Sequence, residues 1–108
     1  MNPADLLAGL RRTLIEITNR TPSTRELWDE NRVLQLAMMK LWIDAGNYAE
    51  AYRKAPSVPH RISPWSDLVG YRGFLSHELP ENVGADRFWD ETHDASELLA
   101  EVNAAAQH

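Results

Sequence analysis

Between Arg25 and Arg53 the apolar residues recur at helical spacing: Leu27, Val33, Leu34, Ala37, Met38, Leu41, Trp42, Ala45, Tyr48, Ala49 and Tyr52. That spacing lines one side of a helix, because an α-helix turns once in 3.6 residues. Nowhere does the chain alternate with period two, and clusters of Val, Ile and Thr are missing, so strands are not expected. Helices alone must build this fold.

The remaining helices follow from their ends. Asn2 is placed to cap a first helix with Pro3 at its first position, where the missing N–H costs nothing. Its apolar positions are Leu6, Leu7, Leu10, Leu14 and Ile15. Ser23 and Glu26 have capping-box spacing and predict that a new segment opens there. A break near Asp29–Asn31 divides it into a short helix and a long one. Gly46, inside the long helix, costs about 1 kcal/mol against alanine, which a close helix crossing would explain. The stretch APSVPHRISP holds three prolines and reads as a loop. Ser63 caps a further helix with Pro64 in its first turn, and Pro80 stops it by disfavouring helical geometry at Leu79. A last helix starts near Ala85–Asp86 and uses Phe88, Trp89, Leu98, Leu99 and Val102. The expected architecture is all-α: an up-and-down bundle of four to five helices forming a single domain over residues 1–108.

Composition narrows the function. The chain of 108 residues carries a net charge of −5, so it does not coat nucleic acid indiscriminately, and any such contact must be local. It has no cysteine, which excludes disulfides, thiolate catalysis and cysteine-held zinc. No apolar run is long enough to span a membrane, and the first residues lack the basic-then-apolar order of a secretion signal. A cytoplasmic protein is expected, with no membrane contact. His93 stands beside Asp94 and near Glu91, yet no second histidine has helical ligand spacing to it, so no metal and no cofactor are expected. The tryptophans Trp28, Trp42, Trp65 and Trp89 are spread singly over the helices and read as core or seam anchors.

One residue resists this pattern. Trp65, Leu68, Val69, Leu75 and Leu79 make a stripe, and Arg72 falls near its middle. A guanidinium stays charged at any useful pH and costs several kcal/mol to bury unpaired. Either Arg72 braces a carboxylate, or the stripe faces a cleft or a subunit seam where an anion can arrive. His77 sits in the last turn, where the helix dipole favours a cation. It lies five residues beyond Arg72, about 140° around a regular helix, so the two need a distorted helix end or a second copy of the chain to converge. Arg53, Lys54, His60 and Arg61 flank the same region; they fit either a solvated loop or a track for a substrate backbone.

The segment SPWSDLVGYRGFLSHELPENVGADRFW resembles the motif half of the HepT-like branch of the HEPN superfamily. Pro64-Trp65, Gly70-Tyr71-Arg72, Leu75, His77, Asp86 and Phe88-Trp89 match that pattern in order and spacing. The earlier ENRVLQLAMMKLWIDAGNYAEAY is similar to the family's long second helix, glycine included. The resemblance implies a small all-α homodimer acting as a metal-independent endoribonuclease, the toxin of a toxin–antitoxin pair whose antitoxin is a minimal nucleotidyltransferase. Carried over by position, Arg72 and His77 match the catalytic pair, with Arg53, Lys54 and Arg61 as substrate-binding candidates. The cleft would form where two copies of the motif helix meet.

Two positions depart from the family. Gly73 stands where relatives have asparagine, and Leu79 where they have the tyrosine that accepts AMP groups from the antitoxin. Silencing through Leu79 is closed, which leaves burial of the cleft, Tyr71, or no neutralisation at all. Both departures support an alternative expectation: a catalytically degenerate HEPN dimer that binds a partner without cutting RNA.

Overall fold

In the computed structural model, which describes residues 2–55, 63–77 and 85–106, the described residues form six helices and no strand. They are α1 (Pro3–Arg20), α2 (Arg25–Asp29), α3 (Arg32–Arg53), α4 (Trp65–His77), α5 (Ala85–His93) and α6 (Ala95–Ala106). The all-helical expectation holds. The count exceeds the expected four to five because the last helix is two: Asp94 separates α5 from α6, and its carbonyl accepts the first amides of α6 from Glu97 and Leu98. That turn lets Thr92 and Ala95 both point inward, where both are fully buried.

Caps explain where the first helices begin. Asn2 Oδ1 accepts the Asp5 amide at 2.9 Å, with Pro3 in the first turn of α1. The cap of α2 is Thr24, whose hydroxyl accepts the Leu27 amide at 3.3 Å, and not Ser23. Thr24 has the extended backbone a cap needs. This moves Glu26 one place too close to serve as the capping-box partner. Asn31 then caps α3 through the Leu34 amide at 2.9 Å, at the predicted break.

α3 is the spine of the molecule, packed against α1 along one side and α4 along the other. It buries Met38, Trp42, Ala45, Gly46, Ala49 and Tyr52. Small residues at 45, 46 and 49 let the neighbouring helices come close. Gly9 of α1 sits under the Tyr48 ring with no space for a Cβ. Tyr52 stacks on Trp65 at 4.9 Å between ring centres, tying the end of α3 to the start of α4. α6 lies on α1, where Arg11 Nε donates to Asn103 Oδ1 at 2.7 Å. α5 is fixed by Phe88, which meets Trp28 edge to face at 4.8 Å. Trp28, Trp42 and Trp65 are buried core and Trp89 packs against it, as their scattered placement predicts. Among the described residues no helix is long and apolar enough to cross a membrane.

Candidate functional site

α4 carries both residues of the expected pair, but its inward face is turned from the expected one. Trp65, Leu68, Tyr71 and Leu75 are buried, while Val69 is only partly so. Tyr71 therefore takes the centre of the face and Arg72 its margin. The physical reason is Gly46. Its bare backbone accepts the aliphatic stem of Arg72, so the methylenes are covered while the guanidinium runs out along α3.

The head of Arg72 reaches two α3 side chains. Nη1 donates to Asn47 Oδ1 at 3.0 Å, and Nη2 stands 3.7 Å from Glu50 Oε2. The side chain keeps 26% of its exposure, so it is neither sealed in the bundle nor free of partners. Both readings of Arg72 thus find a foothold: a carboxylate is close, and the head remains open to an incoming anion.

Glu50 organises the site. Lys54 Nζ lies 2.7 Å from its Oε1, and Arg53 Nη2 donates to its Oε2 at 3.1 Å. Lys54 above all, then Arg53 and Arg72, hold the Glu50 carboxyl below the usual carboxylate range, against an opposing contribution from partial burial. Three cations share one carboxylate, which leaves two net positive charges at the end of α3. On a chain of net charge −5 this is the local concentration of cations that a polyanion needs. Three of the five residues singled out from the sequence, Arg53, Lys54 and Arg72, are thus brought to one place.

His77 is not among them. His77 is the last described residue of α4 and is exposed; α4 runs unbroken from Trp65 to His77, so the imidazole leaves the helix about 140° away from Arg72. Within one chain the pair does not converge. Arg61 lies outside the described residues, as do His60, Glu78, Leu79 and Pro80.

Tyr71, the remaining alternative to Leu79 as an acceptor of AMP, retains only 5% of its exposure, and its hydroxyl is buried. Burial first, and the charge of Glu91 second, push that hydroxyl well above the ordinary tyrosine value. A hydroxyl buried in this packing is out of a nucleotide's reach, so the packed α4 corrects that expectation. Asp86, part of the family-like pattern, is engaged with Arg25 of α2 at 2.9 Å, and Trp89 lies 5.9 Å from Trp28. These downstream positions hold α5 onto α2. Among the described residues no three His, Asp or Glu side chains come together as metal ligands.

Asn47 and Glu50 escaped sequence reasoning. Their only signal is that they follow Gly46 at one and four positions, on the side of α3 that a crossing helix would meet. Compared with protein-family models, curated proteins and solved structures, the chain matches none.

Proposed function

We propose that this chain is a HepT-like HEPN toxin: a cytoplasmic, homodimeric, metal-independent endoribonuclease whose site is composite, and which a minimal nucleotidyltransferase antitoxin restrains. The observation that carries this reading is the Arg72 guanidinium, held at the rim of α4 with Arg53 and Lys54 beside it and still partly open to solvent. Support comes also from the resemblance of residues 63–89 to the family pattern.

The chemistry follows from the residue types. The RNA 2′-hydroxyl attacks the adjacent phosphorus, a P–O bond forms, and the bond to the 5′-oxygen of the next nucleotide breaks. The products are a 2′,3′-cyclic phosphate and a 5′-hydroxyl end. One His77 takes the 2′-hydroxyl proton, and the partner subunit's His77 delivers a proton to the leaving oxygen, since imidazole serves either role near neutrality. Arg72 presents its planar fork to the phosphoryl oxygens, where negative charge grows. Arg53 and Lys54 draw the neighbouring backbone phosphates. The divergence of Arg72 and His77 within one helix supports a site that a second protomer completes. With Leu79 and Tyr71 both unfit as AMP acceptors, restraint by the antitoxin rests on covering the cleft.

A second reading has its own observation. Arg72 already has Asn47 and Glu50 as partners, and Gly73 and Leu79 lack the family's polar groups. A degenerate dimer that binds a partner and cuts nothing fits those facts. Cleavage of RNA in the presence of a chelator by wild type, Arg72→Ala and His77→Ala separates the two. The ribonuclease reading expects cyclic-phosphate products from wild type and losses of about a hundredfold or more in both variants. Equal cleavage by all three would sink the Arg72–His77 mechanism, and no cleavage by wild type supports the degenerate module.

A further inference from the structure

At the seam of α1 and α3, beside the Arg72 guanidinium, there is an open recess of about 410 Å³. Its walls are Leu6 of α1 and Asp44, Asn47 and Tyr48 of α3. The three α3 residues stand at i, i+3 and i+4, which makes them neighbours on one helix face. Asn47 is exposed and the other three are half-buried.

The recess joins a fixed aromatic ring to a polar rim. Gly9 of α1 has no Cβ, and the Tyr48 ring fills the space one would need, so the ring is held against α1. Asp44 meets Lys40 at 2.7 Å, one turn away on the surface of α3. Exposed pairs of this kind are weak, which leaves the carboxylate open to a better donor. Asn47 belongs to two places at once. It walls the recess, and its Oδ1 accepts from Arg72 Nη1 at 3.0 Å. The recess therefore runs directly into the cations gathered around Glu50.

We infer that this recess seats one base of a single-stranded RNA, guanine by preference, while Arg72 holds the phosphate of the same or the adjoining nucleotide. Single-strand sites combine a cationic track for the backbone with aromatic side chains on which bases stack, and here the two parts meet at Asn47. Tyr48 supplies the ring and Leu6 an apolar wall. Asp44 selects the base. From its Watson–Crick edge guanine turns two adjacent donors, at N1 and N2, toward a carboxylate, whereas adenine, cytosine and uracil offer one. The amide nitrogen of Asn47 is then left to donate to the guanine O6. This inference rests on reading the Glu50 cluster as a backbone site, but it does not require that the RNA be cut.

Fluorescence anisotropy of the whole protein with labelled 2′-O-methyl hexanucleotides tests it, since blocking the 2′-hydroxyl removes cleavage from the measurement. The probes are hexauridylate and three versions in which one inner uridine becomes guanosine, adenosine or cytidine. Wild type is expected to bind the guanosine probe severalfold more tightly than the other three. Tyr48→Leu should weaken that binding about tenfold, as loss of a stacked base does, and Tyr48→Phe should not. Asp44→Asn should remove the guanosine preference and leave hexauridylate bound at least as tightly as before. Arg72→Ala should weaken all four probes alike. Should Tyr48→Leu unfold, the surface change Asp44→Asn carries the test by itself. A guanosine preference that survives Asp44→Asn, or a folded Tyr48→Leu that binds as wild type does, would overturn the assignment. Equal binding of the four probes by wild type, weakened by Arg72→Ala, would overturn the base site and leave the backbone site standing. Binding of none of them would overturn both.

Discussion

Gly46 and Arg72 meet so closely that a Cβ added to the glycine would stand 2.9 Å from Arg72 Cδ and 3.0 Å from Cγ. This contact sets the spacing of α3 and α4, and it aims the guanidinium along α3 toward Asn47 and Glu50. The fold and the candidate site therefore share one contact.

Substitution of that glycine should cost stability although alanine is the better helix former. Gly46→Ala is expected to lose about 1–2 kcal/mol net, because overpacking outweighs the propensity gain of about 1 kcal/mol. Gly73, around which a Cβ would meet nothing within 4 Å, is the control. Gly73→Ala should gain up to about 1 kcal/mol. Denaturant unfolding of the two variants checks the opposite signs.

The Trp42 indole N–H donates to Thr92 Oγ1 at 3.1 Å inside the core. Thr92→Val keeps the shape and removes the acceptor, so the indole is left unpaired. A loss of about 1–3 kcal/mol is expected, seen as a melting point lower by several degrees. Thr92→Ser, which keeps the oxygen, should lose less.

Neutralising Glu50 frees the three cations around it. Glu50→Gln should bind single-stranded RNA more tightly than wild type, with a steeper dependence on salt by up to about 0.7 in the log–log slope. Fluorescence anisotropy over a salt series measures both. Its effect on folding has a definite sign. A carboxyl held low in the folded state stabilises above its unfolded value, and that contribution disappears as pH falls through the folded one. The melting curves of wild type and Glu50→Gln should therefore differ at neutral pH and converge in acid.

Glu91 has the opposite sign. Burial raises its carboxyl in the folded chain, so the native state holds that proton more tightly than the unfolded state does. As pH climbs from the ordinary carboxylate value of 4.5 toward the raised one, stability falls, and it levels off above. Glu91→Gln is expected to melt higher than wild type at neutral pH and alike at the acid end of that window. A variant that melts lower throughout would contradict the buried-charge account.

Local signals in the chain were good guides to the helices. The Asn2 cap, the break before Asn31 and the close crossing at Gly46 all appear where spacing and residue chemistry put them. What local spacing cannot hold is rotation about a helix axis. Val69 and Tyr71 are both large and apolar enough to face inward, and only the neighbours decide between them. Trp42 and Phe74 flank the Tyr71 ring, and that choice moved Arg72 to the margin of its face. The split at Asp94 was hidden for a similar reason, since α5 and α6 each keep a helical pattern and differ only in direction. Asn47 and Glu50 were invisible as site residues because their roles exist only once α4 crosses α3.

The central claim, a site shared between two protomers, is tested most directly by subunit mixing. Wild type and His77→Ala chains are combined in equal amounts, allowed to exchange, and assayed for RNA cleavage against wild type at the same total concentration. If one His77 acts as base and the other as acid, only all-wild-type dimers cut, and about one quarter of the activity remains. Retention of about one half, the value for sites complete within each chain, would contradict the account, as would a wild-type protein that stays monomeric while cleaving RNA.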